Sequence, residues 1–343
     1  MRITLDAVRT VGSGLNRPEC AVAHSSGLLF APDWTDPGGV AVIAPDGRVS
    51  RILATAPDPR VDLPVRPNGI ALEPGGTFLL AHLGPERGGL YRLYADGRCE
   101  TVADQVDGRP LPPANFPMID SAGRIWLSVS TTIVPRGDDY RPTAATGFVA
   151  LLRDGALETR ADGLGYANEC AVADAAGGGE TFFVNETFGR RLTAFDLIET
   201  DAGPRLENRR TVAAFGPGTY PDGMALAADG SIWITSIVSN RVIRVDPATG
   251  AAETVIEDVD PDHLAAVEAA FQDGTMGRPH LDNVKSARLA SVSNLAFGGP
   301  DLRTAYLGCL LGDAIAVFDA PVAGLPPRCW RADLGPLARY LDA

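Results

Sequence analysis

Six polar side chains recur at equivalent places in a repeated unit of the sequence. Each carries an oxygen atom and stands just before an apolar segment typical of a strand: Glu19, Asn68, Asn115, Asn168, Asp222 and Asn294. Carboxylate and amide oxygens are the ligands that hard divalent cations such as calcium and magnesium prefer. If the repeats bring these side chains together, they form a site for a divalent cation.

A turn role competes with this interpretation at two of the positions. Asn and Asp before a glycine commonly occupy turns, because their side chains bond to the local backbone. Asn68 and Asp222 each precede a glycine, so for either residue alone a turn is the better explanation. Glycine does not follow the other four, and turn chemistry therefore does not explain the whole set.

The repeated unit predicts the elements that must position these residues. It reads as an apolar strand, a turn, a second strand often bearing Trp or Phe, and a hairpin closed by DG or DPxxG. The clearest copies begin at Asn68, Asn115, Asn168 and Pro221, and two more open near Glu19 and Ser293. Six copies at a spacing of about 40 to 50 residues predict an all-β fold, a six-bladed β-propeller.

In such a ring the innermost strand of each blade lines a central channel, so residues just before it surround the channel mouth. We expect Arg2–Thr10 to pair with the last blade, which contains Thr304–Leu307 and Ala314–Asp319, and so remove the open edges. Residues 1–343 are then one domain. A two-sheet sandwich is the structural alternative, but it does not explain the regular return of one unit.

Residues 258–289 interrupt the repeat. Pro261 follows a potential helix cap at Asp260, and apolar residues recur at helical spacing through Phe271. This pattern predicts a helical insertion between blades 5 and 6. Its role is open between a lid, an interface and a surface decoration.

Composition narrows the class of protein. The net charge is −13, and no cluster of Lys or Arg is present that could neutralise phosphates, so we expect no nucleic-acid partner. No apolar run approaches the roughly 20 residues of a membrane span, and the first residues lack a signal-peptide core. The five cysteines are widely spaced without CxxC pairs, as in a reducing cytoplasm. We therefore expect a cytoplasmic protein with a small-molecule substrate and no membrane contact, its oligomeric state open.

One stretch is specific enough to indicate a family. The sequence YPDGMALAADGSIW from Tyr220 resembles the PDGxxxDxxGxxW motif of the regucalcin (senescence marker protein), gluconolactonase and luciferin-regenerating-enzyme-like family, with Ala227 in place of its second Asp. The stretches RPEC, which contains Glu19, and YANEC, which contains Asn168, match two further positions of the family. The resemblance implies one divalent metal ion held by Glu19, Asn168 and Asp222. Calcium is the favoured ion, and zinc, manganese, magnesium and iron(II) are left open.

The resemblance also implies an activity, metal-assisted hydrolysis of a lactone. In this interpretation Asp222 is the general base and Asn115 orients the substrate oxygen. Phe116 replaces the Asp, and Pro113 the Arg, of groups that bind sugar hydroxyls in relatives. We therefore expect a lactone less polar than gluconolactone.

Four further side chains complete the expected substrate contacts: Phe116, Asn68, His82 and Asn294. His82 also fits a structural role inside a sheet. Cys20 and Cys170 follow site positions, but strand alternation is expected to turn them away from the channel.

Other functions remain open at the level of the sequence. Similar propellers catalyse other reactions, so the alternative enzyme is one that carries out a metal-dependent isomerisation, hydration or condensation. The non-catalytic alternative is a binding protein in which the cation is structural. The sequence has no GxSxG elbow and no HExxH zinc motif.

Overall fold

The strands of the chain form six small sheets in a computed structural model, which describes residues 2–175, 177–201 and 203–342. Within this part of the chain five sheets have four strands and one has six. The sheets follow one another in sequence, and the inner strands of successive sheets lie against each other. The molecule is therefore the six-bladed β-propeller that the repeats predict.

The first three blades each run from an inner strand at the channel to an outer strand at the surface. Blade 1 comprises Val22–Ala23, Leu29–Asp33, Gly39–Ile43 and Val49–Leu53. Blade 2 comprises Pro67–Glu73, Thr77–Leu83, Gly88–Leu93 and Cys99–Ala103. Blade 3 comprises Phe116–Ile119, Ile125–Val129, Gly147–Arg153 and Ala156–Leu164, extended at its outer edge by Gln105–Val106 and Arg109–Pro110.

The remaining blades follow the same order. Blade 4 comprises Ala167–Asp174, Glu180–Glu186, Arg191–Ile198 and Arg205–Ala214. Blade 5 comprises Tyr220–Leu226, Ile232–Ile237, Arg241–Val245 and Ala252–Glu257. Blade 6 comprises Val292–Gly298, Thr304–Cys309, Ile315–Asp319 and Arg9–Val11.

Both ends of the chain build blade 6. Arg9–Val11 pairs antiparallel with Ile315–Asp319, with Arg9 opposite Val317 and Val11 opposite Ile315. The predicted ring closure is therefore present, but its strand is shorter than expected, because Leu5–Ala7 forms a 3-10 turn. Closure leaves no open edge between the first and last blades.

Aromatic side chains fill the spaces between blades. Trp126 and Phe182 pack between blades 3 and 4 with ring centroids 4.8 Å apart, and Trp233 lies 5.3 Å from Phe297 between blades 5 and 6. Both tryptophans are fully buried. These contacts, worth about 1 kcal/mol each beyond area burial, fix the blades and so the inner strands that carry the site.

The predicted insertion is helical and packs on the propeller. Helix α1 (Pro261–Gln272) begins at Asp260, whose side chain accepts hydrogen bonds from the amides of residues 262 and 263, and α2 (Arg278–Asp282) follows. Val267 and Phe271 of α1 are buried. Asp258 anchors the far end by accepting bonds from three consecutive amides, those of residues 287 to 289.

The opposite end of the channel is covered by the segment after the last strand. Leu325 donates its amide to the carbonyl of Leu226, and Arg328 bonds to the carbonyl of Ser121. The 3-10 helices Arg328–Arg331 and Gly335–Ala338 and helix α3 (Arg339–Asp342) complete this segment, and Arg136–Asp139 forms a further 3-10 turn within blade 3.

Among the described residues no helix has the length and apolar character to cross a membrane.

Candidate metal centre

Five of the six ring residues surround one cavity. The small cavity, about 30 Å³ in volume, lies at the start of the inner strands and is lined by Glu19, Asn68, Asn115, Asn168 and Asp222. All five are buried. The repeats therefore place oxygen donors from five different blades around a single point.

Irregular pairing explains how these side chains reach the cavity. In blade 4 the pairs Ala167–Glu186 and Cys170–Val184 flank two unpaired residues, Asn168 and Glu169. Blades 2 and 5 have the same two-residue irregularity at Asn68 and Asp222. A β-bulge re-aims side chains at the end of a strand. The bulges thus turn Asn68, Asn168 and Asp222 toward the channel mouth.

Only one of the two carboxylate oxygens of Glu19 has a hydrogen-bond partner. Its Oε1 accepts a 2.6 Å hydrogen bond from Asn68 Nδ2, whereas Oε2 is buried with no hydrogen-bond partner. Burial raises the pKa of Glu19 to about 6. A buried carboxylate oxygen without a partner is costly, so this atom is a ready ligand for a cation.

Asp222 is the second carboxylate of the small cavity. Burial raises its pKa well above the usual value, and the nearby charges of Glu19 and Glu169 raise it further. Two carboxylates that repel each other in a dry site are stabilised as anions by a cation between them. The pair therefore has the electrostatics of a metal site.

The amides are held by hydroxyl groups behind them. Asn168 Nδ2 donates to Thr187 Oγ1 at 3.1 Å, and that hydroxyl donates to the carbonyl of Pro221 at 2.8 Å. Asn115 Nδ2 donates to Ser130 Oγ at 2.7 Å. With the NH₂ groups engaged, the amide oxygens are the atoms that both side chains can offer to a ligand.

Three arginines also line the small cavity, and sequence reasoning missed them. They are Arg17, Arg136 and Arg278. Arg17 stands two residues before Glu19 and has φ of 56°, a backbone conformation that is uncommon outside glycine. Of the three arginines, only Arg17 could have been noticed in the sequence, because it stands in the RPEC stretch. Arg136 and Arg278 lie outside the repeated unit.

Two of the predicted site residues, Phe116 and Asn294, do not line the small cavity. Both line the channel cavity, about 530 Å³ in volume, which runs below the small cavity between the inner strands and ends at residues 325–329. Asn294 Nδ2 donates to Glu169 Oε1 at 2.7 Å, and Glu169 Oε2 accepts from the amide of Met224 at 2.9 Å. Burial raises the pKa of Glu169 to about 8. These contacts join blades 4, 5 and 6.

The position of Asn294 follows from the bulge of blade 6. Only one residue, Ser293, lies between the pairs Val292–Cys309 and Asn294–Gly308, whereas blade 4 has two. Ser293 donates its hydroxyl to the carbonyl of Glu19 at 2.6 Å. The shorter bulge therefore shifts Asn294 one place along the channel.

His82 lines neither cavity. It is buried in blade 2, where Nδ1 accepts a 3.0 Å bond from the amide of Arg66 and the ring lies 5.3 Å from that of Tyr91. Burial lowers its pKa to about 4, so the ring is neutral at pH 7. The structure places His82 with the sheet and apart from the other predicted site residues.

Four of the five cysteines are buried, and Cys329 is partly exposed. As expected, Cys20 packs in the core next to blades 1 and 2, and Cys170 packs in the core between blades 3 and 4 with Trp126 and Phe182. Burial raises the pKa of the Cys170 thiol, which makes it unreactive. In the described residues no cluster of three or more His, Cys, Asp and Glu side chains could hold a metal, so a cation in the small cavity would need amide oxygens as well.

Comparison with protein families gives one match. The family model described as the SMP-30/Gluconolactonase/LRE-like region matches residues 60–258, more than half of the chain. Among curated proteins, regucalcin of Danio rerio is 26% identical over 155 residues, which are 45% of this chain and 49% of that protein. Regucalcin of Gallus gallus is 26% identical over 197 residues, 55% of this chain and 60% of that protein. The chain thus spans half to three-fifths of the curated relatives it matches.

Solved structures resemble the chain over nearly its whole length. A gluconolactonase from Xanthomonas campestris has a TM-score of 0.63 at 20% identity, covering 92% of this chain and 89% of that one. A calcium-binding protein, regucalcin, from Agrobacterium tumefaciens has a TM-score of 0.61 at 14% identity, covering 95% and 96%. At these identities the likeness establishes the shared fold.

Proposed function

The chain belongs to the SMP-30/gluconolactonase/LRE-like family, and from that premise we propose that it is a metal-dependent hydrolase that opens a small lactone. The supporting observation is the small cavity, where Glu19 and Asp222 come together with Asn168 and one carboxylate oxygen is left without a partner. The family match does not favour the non-hydrolytic alternative.

The residues present fit one divalent cation. The donors are carboxylate and amide oxygens, Glu19 Oε2 is buried and unpartnered, and the pKa of Asp222 is raised by burial and by neighbouring carboxylates. Glu19, Asn168 and Asp222 would hold the ion, with Asn115 beside them. When bound, a divalent cation supplies Lewis-acid activation of a carbonyl and of a water molecule. We propose calcium as the resident ion.

The side chains then divide the work of hydrolysis. Asp222 accepts the proton of the attacking water, and Arg17 and Arg136 help to keep its carboxylate ionised by lowering its pKa against the effect of burial. Asn115, held by Ser130, orients the substrate oxygen. The burial of Glu19, Asn115 and Asp222 strengthens each of these interactions.

The expectation of a substrate less polar than gluconolactone loses one of its supports. It relied on Phe116 near the rim of the site, and Phe116 lines the channel cavity instead. Pro113 still leaves the site without the sugar-binding Arg of relatives. The small cavity itself is lined by five charged side chains together with apolar and aromatic ones such as Phe188 and Ile237.

The insertion closes the site. Arg278 and Leu281 of α2 complete the wall of the small cavity. Its volume of about 30 Å³ is far below the roughly 300 Å³ or more of a typical small-molecule pocket, so a lactone ring needs more room than this state provides. We propose that the insertion, residues 258–289, is a lid that moves to admit substrate.

Hydrolysis assays with and without chelation test the function. The wild type should open small lactones, lose that activity in excess chelator and regain it when calcium is restored. Glu19→Gln and Asp222→Asn should remove activity, whereas Glu73→Gln, which breaks an ion pair with Arg92 in blade 2 that lines neither cavity, should retain it. Unchanged hydrolysis after complete chelation would contradict a metal-dependent reaction.

A further inference from the structure

Two guanidinium groups face the small cavity with hydrogen-bonding capacity unused. Arg17 Nε and Arg136 Nη1 are buried atoms without a hydrogen-bond partner. No described ion pair joins either arginine to Glu19 or Asp222, although their charges lower the pKa of both carboxylates, and Glu19 Oε2 is itself unpartnered. A buried donor without an acceptor is costly, so these atoms are suited to a ligand.

Both guanidinium groups are held in place by aromatic neighbours. Arg17 stacks over Trp34 at 4.6 Å from the ring centroid, and Trp34 is fixed by donating to the carbonyl of Pro67 at 2.8 Å. Arg136 Nε donates to the hydroxyl of Tyr166 at 2.7 Å. A stacked or bonded guanidinium is preorganised and loses little entropy when it binds a planar anion.

The charges of the cavity leave room for a negative group. Glu19 and Asp222 contribute two negative charges, and Arg17 and Arg136 contribute two positive ones, so a bound divalent cation leaves a positive excess. Arg278 lies at the outer rim, where Asp282 pairs with it at 2.8 Å and its side chain is 44% exposed. Uncompensated positive charge in a closed site attracts an anion.

We infer that the substrate carries a carboxylate beside the lactone ring, and that Arg17 and Arg136 bind this carboxylate. The inference rests on the proposed function and adds to it the substrate class. It replaces sugar hydroxyls with an anionic group as the feature that the pocket recognises. Arg278, on the insertion, also lines the cavity, but its ion pair with Asp282 offsets its charge.

A matched pair of substrates tests the inference. A γ-lactone with a ring carboxylate and its primary carboxamide differ in charge but hardly in size. The wild type should prefer the carboxylate by about 10- to 100-fold in kcat/KM, the range for a charge-assisted hydrogen bond. Arg17→Gln and Arg136→Gln should each remove most of this preference, whereas Arg92→Gln, outside the cavity, should keep it.

Binding measurements separate this inference from the proposed hydrolysis. Calorimetric titration with an unreactive tetrahydrofuran carboxylate and its carboxamide should show the same preference in Kd. If wild type binds the carboxylate selectively but opens neither lactone, the anion site is supported and the hydrolase proposal fails. Equal affinity for acid and amide, or a preference that survives in both folded arginine variants, overturns the inference. Thermal unfolding identifies any variant that does not fold.

Discussion

A bidentate ion pair between blade 4 and helix α1 helps to hold the insertion on the propeller, and breaking that pair should loosen the insertion alone. Arg190 of blade 4 donates to both carboxylate oxygens of Glu268 in α1, at 2.9 and 2.6 Å. The same carboxylate accepts from the amide of Gly218 at 2.9 Å, and Arg190 lies over the ring of Phe271 at 4.1 Å. Glu268→Gln keeps the shape of the side chain and removes its charge.

The size of the effect follows from the burial of the pair. The two side chains are 11% and 20% exposed, so this salt bridge is neither fully exposed nor fully buried. Replacing a charge-assisted bidentate contact by a neutral amide should cost about 1 to 2 kcal/mol. That cost shifts the ratio of closed to open insertion about 5- to 30-fold.

Hydrogen exchange read by mass spectrometry measures this shift segment by segment. Amides of residues 258–289 in Glu268→Gln should exchange about 5- to 30-fold faster, with the blades unchanged. Arg244→Gln is the control, because it breaks ion pairs on the outer part of blade 5 and should leave the insertion protected. A uniform rise in exchange across all blades, or none in the insertion, would refute the lid.

Three further predictions concern single residues. Burial disfavours the ionised form of Glu268, but Arg190, Gln272 and the amide of Gly218 outweigh it and lower its pKa from 4.5 to about 2. Its stabilisation is therefore complete above pH 4.5 and lost as the pH falls toward 2, so exchange in the insertion should rise over that range while the strands of blade 2 stay protected. His82→Gln should lower stability to urea by about 1 kcal/mol and leave kcat/KM within about twofold, because the ring contacts Asp62 and Arg66 beside blade 2 and lines neither cavity; a tenfold loss of kcat/KM would restore its predicted substrate role. Phe116→Ala should enlarge the channel cavity and lower the melting temperature without changing the choice between lactones, and a changed preference would contradict its placement away from the substrate.

The repeated unit made the fold and the ring residues predictable because each blade repeats one geometry. Once the copies are aligned, Glu19, Asn168 and Asp222 must stand at the same height on inner strands that face one channel. The helical insertion was predictable for a related reason, since its apolar spacing changes from that of a strand to that of a helix. Its exact bounds depend on the Asp260 cap and on packing against blade 4.

Local irregularity limits what alignment can predict. Blade 6 has one unpaired residue in its bulge where blade 4 has two, so Asn294 is displaced although it aligns with the ring. In blade 3 the pairing runs regularly from Phe116, and that ring faces the channel cavity. Bulge length is set by hydrogen bonding between strands, which the residue types alone do not specify.

The arginines of the small cavity could not be predicted from the sequence, for a different reason. Arg136 and Arg278 lie in connecting segments that have no counterpart in other blades, so no repeat predicts where they fold. Only the packing of the 3-10 turn at Arg136–Asp139 and of α2 brings them to the small cavity. The charge of the pocket is thus a tertiary property.

The account depends on one ion bound by oxygen donors from different blades. An anomalous difference map from crystals soaked in manganese measures this directly. We expect a single strong peak in the small cavity, about 2 to 2.6 Å from oxygens of Glu19, Asn168 and Asp222. A cavity without a peak, with Arg17 or Arg136 turned to pair with Glu19 in its place, would contradict it.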